Sequence, residues 1–309
     1  MKFSKKLGLL NWRIKMRKKI AVILLTTTFV VVGGCGEKKT DESETVEIQE
    51  TTVPESDEIV VDSEANEAVE EYVVGTAEDF EVTYFDVDSI EIIEYLGDAK
   101  YLKVPEEING KKVATICGFI DNDNLVGVKL PESLKIIRNR AFDDCSSLVS
   151  VELGNSVESI EDYAFCNCWE LTSINLPDSI CEIGEMVFAA TKMAEVHIPS
   201  GLNELKYATL SNGKLEEITV PNNIKKIGEQ VFECDRNLKK AVIENGVEEI
   251  GYNAFVDCDS LEELHIPASV TTFGEDRIVD PNDNLTIYAP AGSAAETYAN
   301  DNDINFVAE

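Results

Sequence analysis

The side chains of this 309-residue chain best suited to nucleophilic or metal chemistry are its eight cysteines and two histidines. Cys35 follows Val32-Gly33-Gly34 at the end of an apolar run, while Cys117, Cys145, Cys166, Cys168, Cys181, Cys234 and Cys258 are scattered over the rest. An odd count of that kind is not a disulfide framework. Cys166-Asn167-Cys168 has the spacing of half a zinc site, but no second ligand pair stands near it, and Cys168 should point inward and Cys166 outward. Asp121-Asn122-Asp123-Asn124 and Asp280-Pro281-Asn282-Asp283 resemble calcium loops in composition alone. Neither carries the ~12-residue ligand pattern with its closing Glu, so both are expected to be turns. Gly-x-Ser-x-Gly, phosphate-loop and His-Glu-x-x-His motifs do not occur. Paired acids abound, yet with 59 acidic residues such pairs arise by chance. The expectation is a protein that is not an enzyme, with no catalytic residue, metal, cofactor or small-molecule substrate.

What must position these residues is a repeat. LPESLKIIRNRAFDDCSSLVSVE, residues 130 to 152, is followed at once by LGNSVESIEDYAFCNCWELTSIN, residues 153 to 175, and the pattern continues in blocks starting at Leu176, Ile198, Val220, Ile243 and Ile266. An irregular block from Val104 to Lys129 precedes them. A period of 22 or 23 residues is a solenoid signature, because one block cannot bury its apolar face alone and stacked neighbours complete one another's core. Within each block an apolar residue stands five before a second one, as in Ile137 and Phe142, Ile160 and Phe165, Ile183 and Phe188, Leu205 and Leu210, Ile227 and Phe232, Ile250 and Phe255, and Phe273 and Ile278. These pairs should stack from coil to coil. The alternation Leu148, Val151, Leu153, and again Leu261, Leu264, Ile266, suits a short strand with one buried face. Coil upon coil, those strands would form a parallel sheet. Pro131, Pro177, Pro199, Pro221 and Pro267 have no amide to donate and mark the strand ends.

This frame places the chemical residues. Cys145, Cys168 and Cys258 occupy one position, where a small thiol can pack between coils and meet turn carbonyls. Cys145 and Cys168, in adjacent coils, could lie near disulfide distance, and their oxidation state is left open. His197 and His265 share a position in an exposed row with Lys129, Glu152, Asn175, Thr219, Val242 and Tyr288. At roughly 4.8 Å per strand they lie ~14 Å apart, too far to ligate one zinc. Two residues earlier runs Gly127, Ser150, Ser173, Glu195, Glu217, Lys240, Glu263 and Thr286. Together the rows make a polar concave face, and Glu195, His197, Glu217, Lys240, Glu263 and His265 are the candidate partner-binding residues. A merely solvated face is the other reading.

The blocks resemble the BspA-like leucine-rich repeats, whose units read roughly L-x-x-I-x-L-P-x-x-[apolar]-x-x-I-G-x-x-A-F-x-x-C. Ala141-Phe142 with Cys145, Ala164-Phe165 with Cys168, and Ala254-Phe255 with Cys258 keep the ending. Thr191 and Leu210 depart from it, and Cys234 falls one residue early, before Asp235. The resemblance covers about Asp79 to Glu309. It implies an α/β solenoid, a leucine-rich repeat array of about eight 22 to 26-residue coils with a parallel β-sheet on the concave face. It also implies an N-terminal β-hairpin cap, here Phe80, Val82 and Tyr84 against Ile90 and Ile92, and a C-terminal helix-strand cap opened by the capping box Ser293-Ala294-Ala295-Glu296 and closed by Ile304, Phe306 and Val307. Adhesion to, or recognition of, host or neighbouring-cell proteins is the role it implies.

The first 34 residues hold eight Lys or Arg, no acid and the apolar run Ile20 to Val32, too short to span a bilayer comfortably. That is an export signal, with Met16 as an alternative start. Val32-Gly33-Gly34-Cys35 resembles the lipobox of bacterial lipoproteins, which implies cleavage before Cys35 and its acylation. An ordinary signal peptide with an incidental Cys is the other reading. Gly36 to Gly75 has fourteen Asp or Glu against two Lys, the composition of a disordered, self-repelling tether, with a short helix over Glu64 to Tyr72 as one exception. Beyond the leader the chain carries 19 basic against 59 acidic residues, a net charge of −40. That field repels nucleic acid and favours basic protein partners.

The expected layout is therefore 1–34 lipoprotein signal peptide, 35–78 acylated Cys35 plus acidic tether, 79–103 N-terminal cap, 104–288 repeats and 289–309 C-terminal cap. The expected place is the extracellular face of a bacterial envelope, with the acyl anchor in the lipid bilayer. The expected function is binding of a protein or glycan partner through the concave face. A structural or envelope-scaffold lipoprotein with no dedicated ligand is the alternative.

Overall fold

The structure, a computed structural model, describes residues 71–275 and 277–309. The predicted leader, Cys35 with its acylation, most of the acidic tether and nearly all of the helix considered over Glu64 to Tyr72 lie outside the described residues.

The described chain is a parallel β-solenoid. Each regular coil contributes a short concave strand, a turn after it, a two-residue strand on the flank and a convex turn. In the coil that starts at Leu130 these are Ser150–Glu152 for the concave strand and Ile136–Ile137 for the flank. The expected prolines sit in the connecting turn: the carbonyls of Pro131, Pro177, Pro199, Pro221 and Pro267 each accept the amide three residues on, at 3.1–3.2 Å. A proline there loses nothing, since its own nitrogen faces no ladder partner.

Convex turns carry two left-handed residues four apart in each of the six coils from Leu130 to His265, for example Arg140 (φ 58°) and Asp144 (φ 58°), or Tyr163 (φ 60°) and Asn167 (φ 58°). Left-handed backbone at a bulky residue costs about 1 kcal/mol or more. It is offset here because each such amide donates to the next coil, Arg140 to the Asp162 carbonyl at 3.0 Å and Asp144 to that of Cys166 at 3.0 Å. The same geometry forbids a helix on the convex side. Only Ala294–Asp301 is α-helical and only Ala77–Asp79 is 3-10 among the described residues, so the repeats are β and turn, and the α part of the α/β expectation is confined to one C-terminal helix.

The stacked apolar pairs are buried as expected, Phe273 excepted, which is half-buried. Tyr95, Phe119, Phe142, Phe165 and Phe188 form a continuous column with ring centroids 4.7–5.8 Å apart. Leu210 interrupts it, and Phe232 and Phe255 resume it at 5.1 Å. Offset stacks of this kind add ~0.5–1.5 kcal/mol each beyond the area they bury. One expectation fails here. Cys166 does not point outward; it is 5% exposed, because it lies in a turn between left-handed Tyr163 and Asn167, and Asp143, Ala189 and Val256, which follow Phe142, Phe188 and Phe255, are buried in the same way.

Parallel pairing also runs past the repeats. Val73–Val74, at the end of the stretch whose composition predicts a tether, pair with Leu102–Lys103, and Asn305–Ala308 pair with Thr286–Ala289. At the N-terminal side Phe80–Tyr84 and Ser89–Tyr95 form an antiparallel hairpin. At the other end Ser293 Oγ accepts from the Glu296 amide at 3.2 Å, and Tyr298 of the helix stacks on Phe273 at 4.9 Å.

The expectation of one continuous concave sheet needs correction. The concave strands form two five-stranded sheets, the first ending at Ser173–Ile174 and the second beginning at Glu217–Val220, with no strand at Glu195 to His197 between them. The flank ladder stops at the same place, between Glu182–Ile183 and Glu204–Leu205. Convex bonding does not stop, for Met186, Phe188 and Ala190 still donate to Tyr207, Thr209 and Ser211, each at 2.9 Å. The cause is local. Regular coils put two residues between the cysteine position and the next leucine, and the leucine amide closes the turn on the carbonyl before it, as Leu148 does on Cys145 at 3.0 Å. The two short blocks have only Lys192 between Thr191 and Met193, and only Lys214 between Gly213 and Leu215. The chain reaches the concave side one residue early and misses its ladder.

Candidate functional site

The six residues proposed from the sequence separate into two groups. Lys240, Glu263 and His265 come together on the second concave sheet, where the ladder sets Lys240 beside Glu263 and His265 beside Tyr288. Lys240 Nζ lies 2.6 Å from Glu263 Oε2, and His265 Nε2 lies 3.3 Å from the same oxygen. These partners, Lys240 first, hold the Glu263 carboxyl below its ordinary range, and Glu263 in turn raises Lys240. His265 Nδ1 meets Glu309 Oε1 at 3.2 Å, and its ring stacks on Tyr288 with centroids 4.6 Å apart. An imidazole can donate to both carboxylates only while both of its nitrogens carry protons. Repeat spacing alone could not find Glu309, because it reaches the row through the final strand.

Glu195, His197 and Glu217 lie at the interruption of the sheet and line an open cleft of about 330 Å³ with Val196, Ile218 and Pro221. His197 Nε2 lies 3.3 Å from Asp178 Oδ1, which also accepts the Ser200 amide at 2.9 Å. That amide, with His197 second, keeps the Asp178 carboxyl below its usual value. Glu195 and Glu217 form no ion pair among the described residues. The N-terminal part of the concave face is already neutralised where Lys129 and Glu152 pair at 2.8 Å. Among the described residues no group of three or more His, Cys, Asp or Glu is placed to hold a metal ion, and no helix is long and apolar enough to cross a membrane.

A family model for the BspA type leucine rich repeat region matches residues 117–239 and 159–280, with 6 copies. The chain belongs to that family. No curated protein is a significant match. Among solved structures, a leucine-rich repeat protein from Bacteroides ovatus is 20% identical with a TM-score of 0.54, covering 74% of this chain and 65% of that one. The leucine rich repeat protein of T. pallidum is 28% identical with a TM-score of 0.49, over 65% of this chain and 86% of that one. A leucine rich cell surface protein from Faecalibacterium prausnitzii is 18% identical with a TM-score of 0.48, over 68% and 74%. The B. ovatus likeness supports the solenoid fold.

The cysteine position of this BspA-type repeat has a definite task here. All seven described cysteines are free thiols. Cys145, Cys168 and Cys258 donate to the carbonyls of Phe119, Phe142 and Phe232 in the preceding coil, at 3.0, 3.2 and 3.1 Å. Burial pushes all three thiols up, Cys145 to about 12, so they stay protonated and keep donating. Asp235 stands at the same position of its own coil, with no exposed surface and, among the described residues, no hydrogen-bond partner of ordinary geometry for either oxygen. Burial pushes its carboxyl up to about 7, opposed only in part by the Lys214 charge and the Leu215 amide. A Cβ on Gly213 would sit 3.1 Å from Asp235 Oδ2, so the glycine of the short block leaves the room that the carboxyl takes.

Proposed function

We propose that this BspA-type repeat protein is a recognition protein displayed at the outer face of a bacterial envelope, tethered through an acylated Cys35, which holds a basic protein partner on its concave face. The observation that carries the reading is the ladder register Glu217, Lys240, Glu263, Thr286, which fixes charged side chains in a row at strand spacing, with the His265 and Tyr288 rings alongside. Pre-set side chains lose little conformational entropy on binding, and an extended row can meet an extended partner. A net charge of −40 beyond the leader favours partners rich in Lys and Arg.

The test is capture of surface proteins by the full-length chain, compared with a variant carrying Glu195→Lys, Glu217→Lys and Glu263→Lys. Affinity for the captured partner should fall at least about tenfold. Unchanged affinity would remove the concave face as the contact. A second reading, an envelope scaffold, draws on the pairs Lys129 with Glu152 and Lys240 with Glu263, which are already satisfied within the chain. Protease treatment of intact cells separates the two, since display requires that the repeats be cleaved and a scaffold within the envelope would be protected.

A further inference from the structure

The interrupted sheet leaves main-chain groups unused on the concave side. Among the described residues the amides and carbonyls of Glu195, Val196, His197 and Ile198 make no backbone hydrogen bond. The same coil is still bonded to both neighbours just before this point, where Lys192 donates to the Leu171 carbonyl at 2.9 Å and Glu216 to that of Ala194 at 3.2 Å. The convex turns are intact as well, so the interruption is confined to the concave and flank ladders. Apolar surface is uncovered as a result: Ile174 and Val196 are half-buried, whereas Val128, Val151, Ile218 and Leu264 at the same position of other coils are buried. Behind Val196 an apolar crevice continues between Leu176, Phe188 and Leu202. Glu195 and Glu217, which form no ion pair within 4.0 Å among the described residues, stand at the mouth.

We propose that this seam is a peptide site, which takes an extended, basic segment of a partner protein with one aliphatic side chain seated on Val196 and Ile218. The inference deepens the reading of the concave face and rests on it. Unsatisfied backbone at a sheet edge is the usual template for strand addition, in which main-chain bonds supply affinity and side-chain pockets supply selectivity. In an extended peptide successive side chains point to opposite faces, so an aliphatic residue directed into the seam carries its neighbours outward. Lys or Arg at those places meets Glu195 and Glu217. An acidic segment would face the Glu195 and Glu217 carboxylates, of which Glu217 has a nearby cation, Lys240 on the next strand, and be rejected.

The probe is a fluorescently labelled peptide alternating Lys and Val, titrated into the full-length chain and followed by anisotropy. A Glu and Val peptide and a Lys and Val peptide N-methylated at alternate amides are run beside it. Binding of the basic peptide should weaken at least about tenfold on N-methylation and in the variant Glu195→Lys, Glu217→Lys. The variant Glu185→Lys, Glu229→Lys makes the same change of net charge on exposed turn residues outside the cleft and should leave binding intact. Equal binding by the N-methylated peptide, equal loss in both charge variants, or no binding of the basic peptide would each overturn the proposal. The N-methyl arm uses the unmodified chain, so it decides even if a variant does not fold. If the peptide fails while the triple reversal still weakens partner capture, the seam inference alone falls. If the peptide binds and capture is indifferent to the reversal, it is the wider reading that falls.

Discussion

Asp235 is where solution pH acts on this fold. Its carboxyl titrates near 3.8 in the unfolded chain and at about 7 in the folded one, so the folded state holds the proton more tightly. The stability it contributes is greatest below pH ~3.8, is lost as pH rises through the window to about 7, and is absent above it. At about 1.4 kcal/mol per unit the loss is on the order of 4 kcal/mol. Asp235→Asn, neutral at every pH, should therefore gain stability over the parent at pH 8 and lose most of that gain at pH 5 in paired urea melts. An equal difference at both values would show that the carboxyl is not buried as described. Asp235→Cys should stabilise at pH 8 as well, by restoring a donor toward the Leu210 carbonyl. Thiol chemistry gives a second check. Cys181 is exposed and Cys145, Cys168 and Cys258 are buried, so an alkylating reagent on native protein should mark Cys181 and reach those three only on unfolding, as mass spectrometry of the labelled peptides would report.

At the scale of the element the decisive feature is turn length. A coil that is one residue short keeps its convex bonds and loses its concave ladder, because convex geometry is set by left-handed residues four apart whereas the strand register depends on the count from turn to strand. Inserting one residue after Lys192 and one after Lys214 should restore the ladder through Glu195 to Ile198. Hydrogen exchange of those amides would then slow toward the rates of Glu217–Val220, and the basic peptide would lose its site. Persistent fast exchange would show that the interruption has another origin. The aromatic column responds differently, since Phe165 is fully buried between Phe142 and Phe188. Phe165→Ala should cost about 3–5 kcal/mol, measured by denaturant melts. The cost should spread to both neighbours, as expected where each coil completes the core of the next.

Over the whole molecule the charge sets the terms of association. Residues 35–309, at net −40, repel anionic surfaces and would draw a basic partner only at short range, because the Debye length is about 8 Å at physiological salt. Partner affinity should therefore fall steeply as salt is raised, more through slower association than through faster release. Stopped-flow rates at two salt concentrations would separate these. Anchoring is a distinct question tied to Cys35. Cys35→Ser should release the protein from the membrane fraction and abolish labelling by a fatty-acid analogue, whereas retention of both would return the leader to an ordinary signal peptide.

Period, apolar pairs and proline positions determined the solenoid, because stacking repeats can bury their cores in only one way and each block states its inward positions twice over. The concave rows were equally legible, since strand alternation assigns them without reference to distant chain. Three things were decided only in space. Glu309 meets His265 because the last strand joins the sheet, a contact no repeat spacing encodes. Cys166 turns inward because it sits in a turn between left-handed Tyr163 and Asn167, a local geometry that repeat spacing does not state. The seam opens because two missing residues act on opposite sides of the coil unequally: hydrogen bonds on the convex side absorb them and strand register on the concave side cannot.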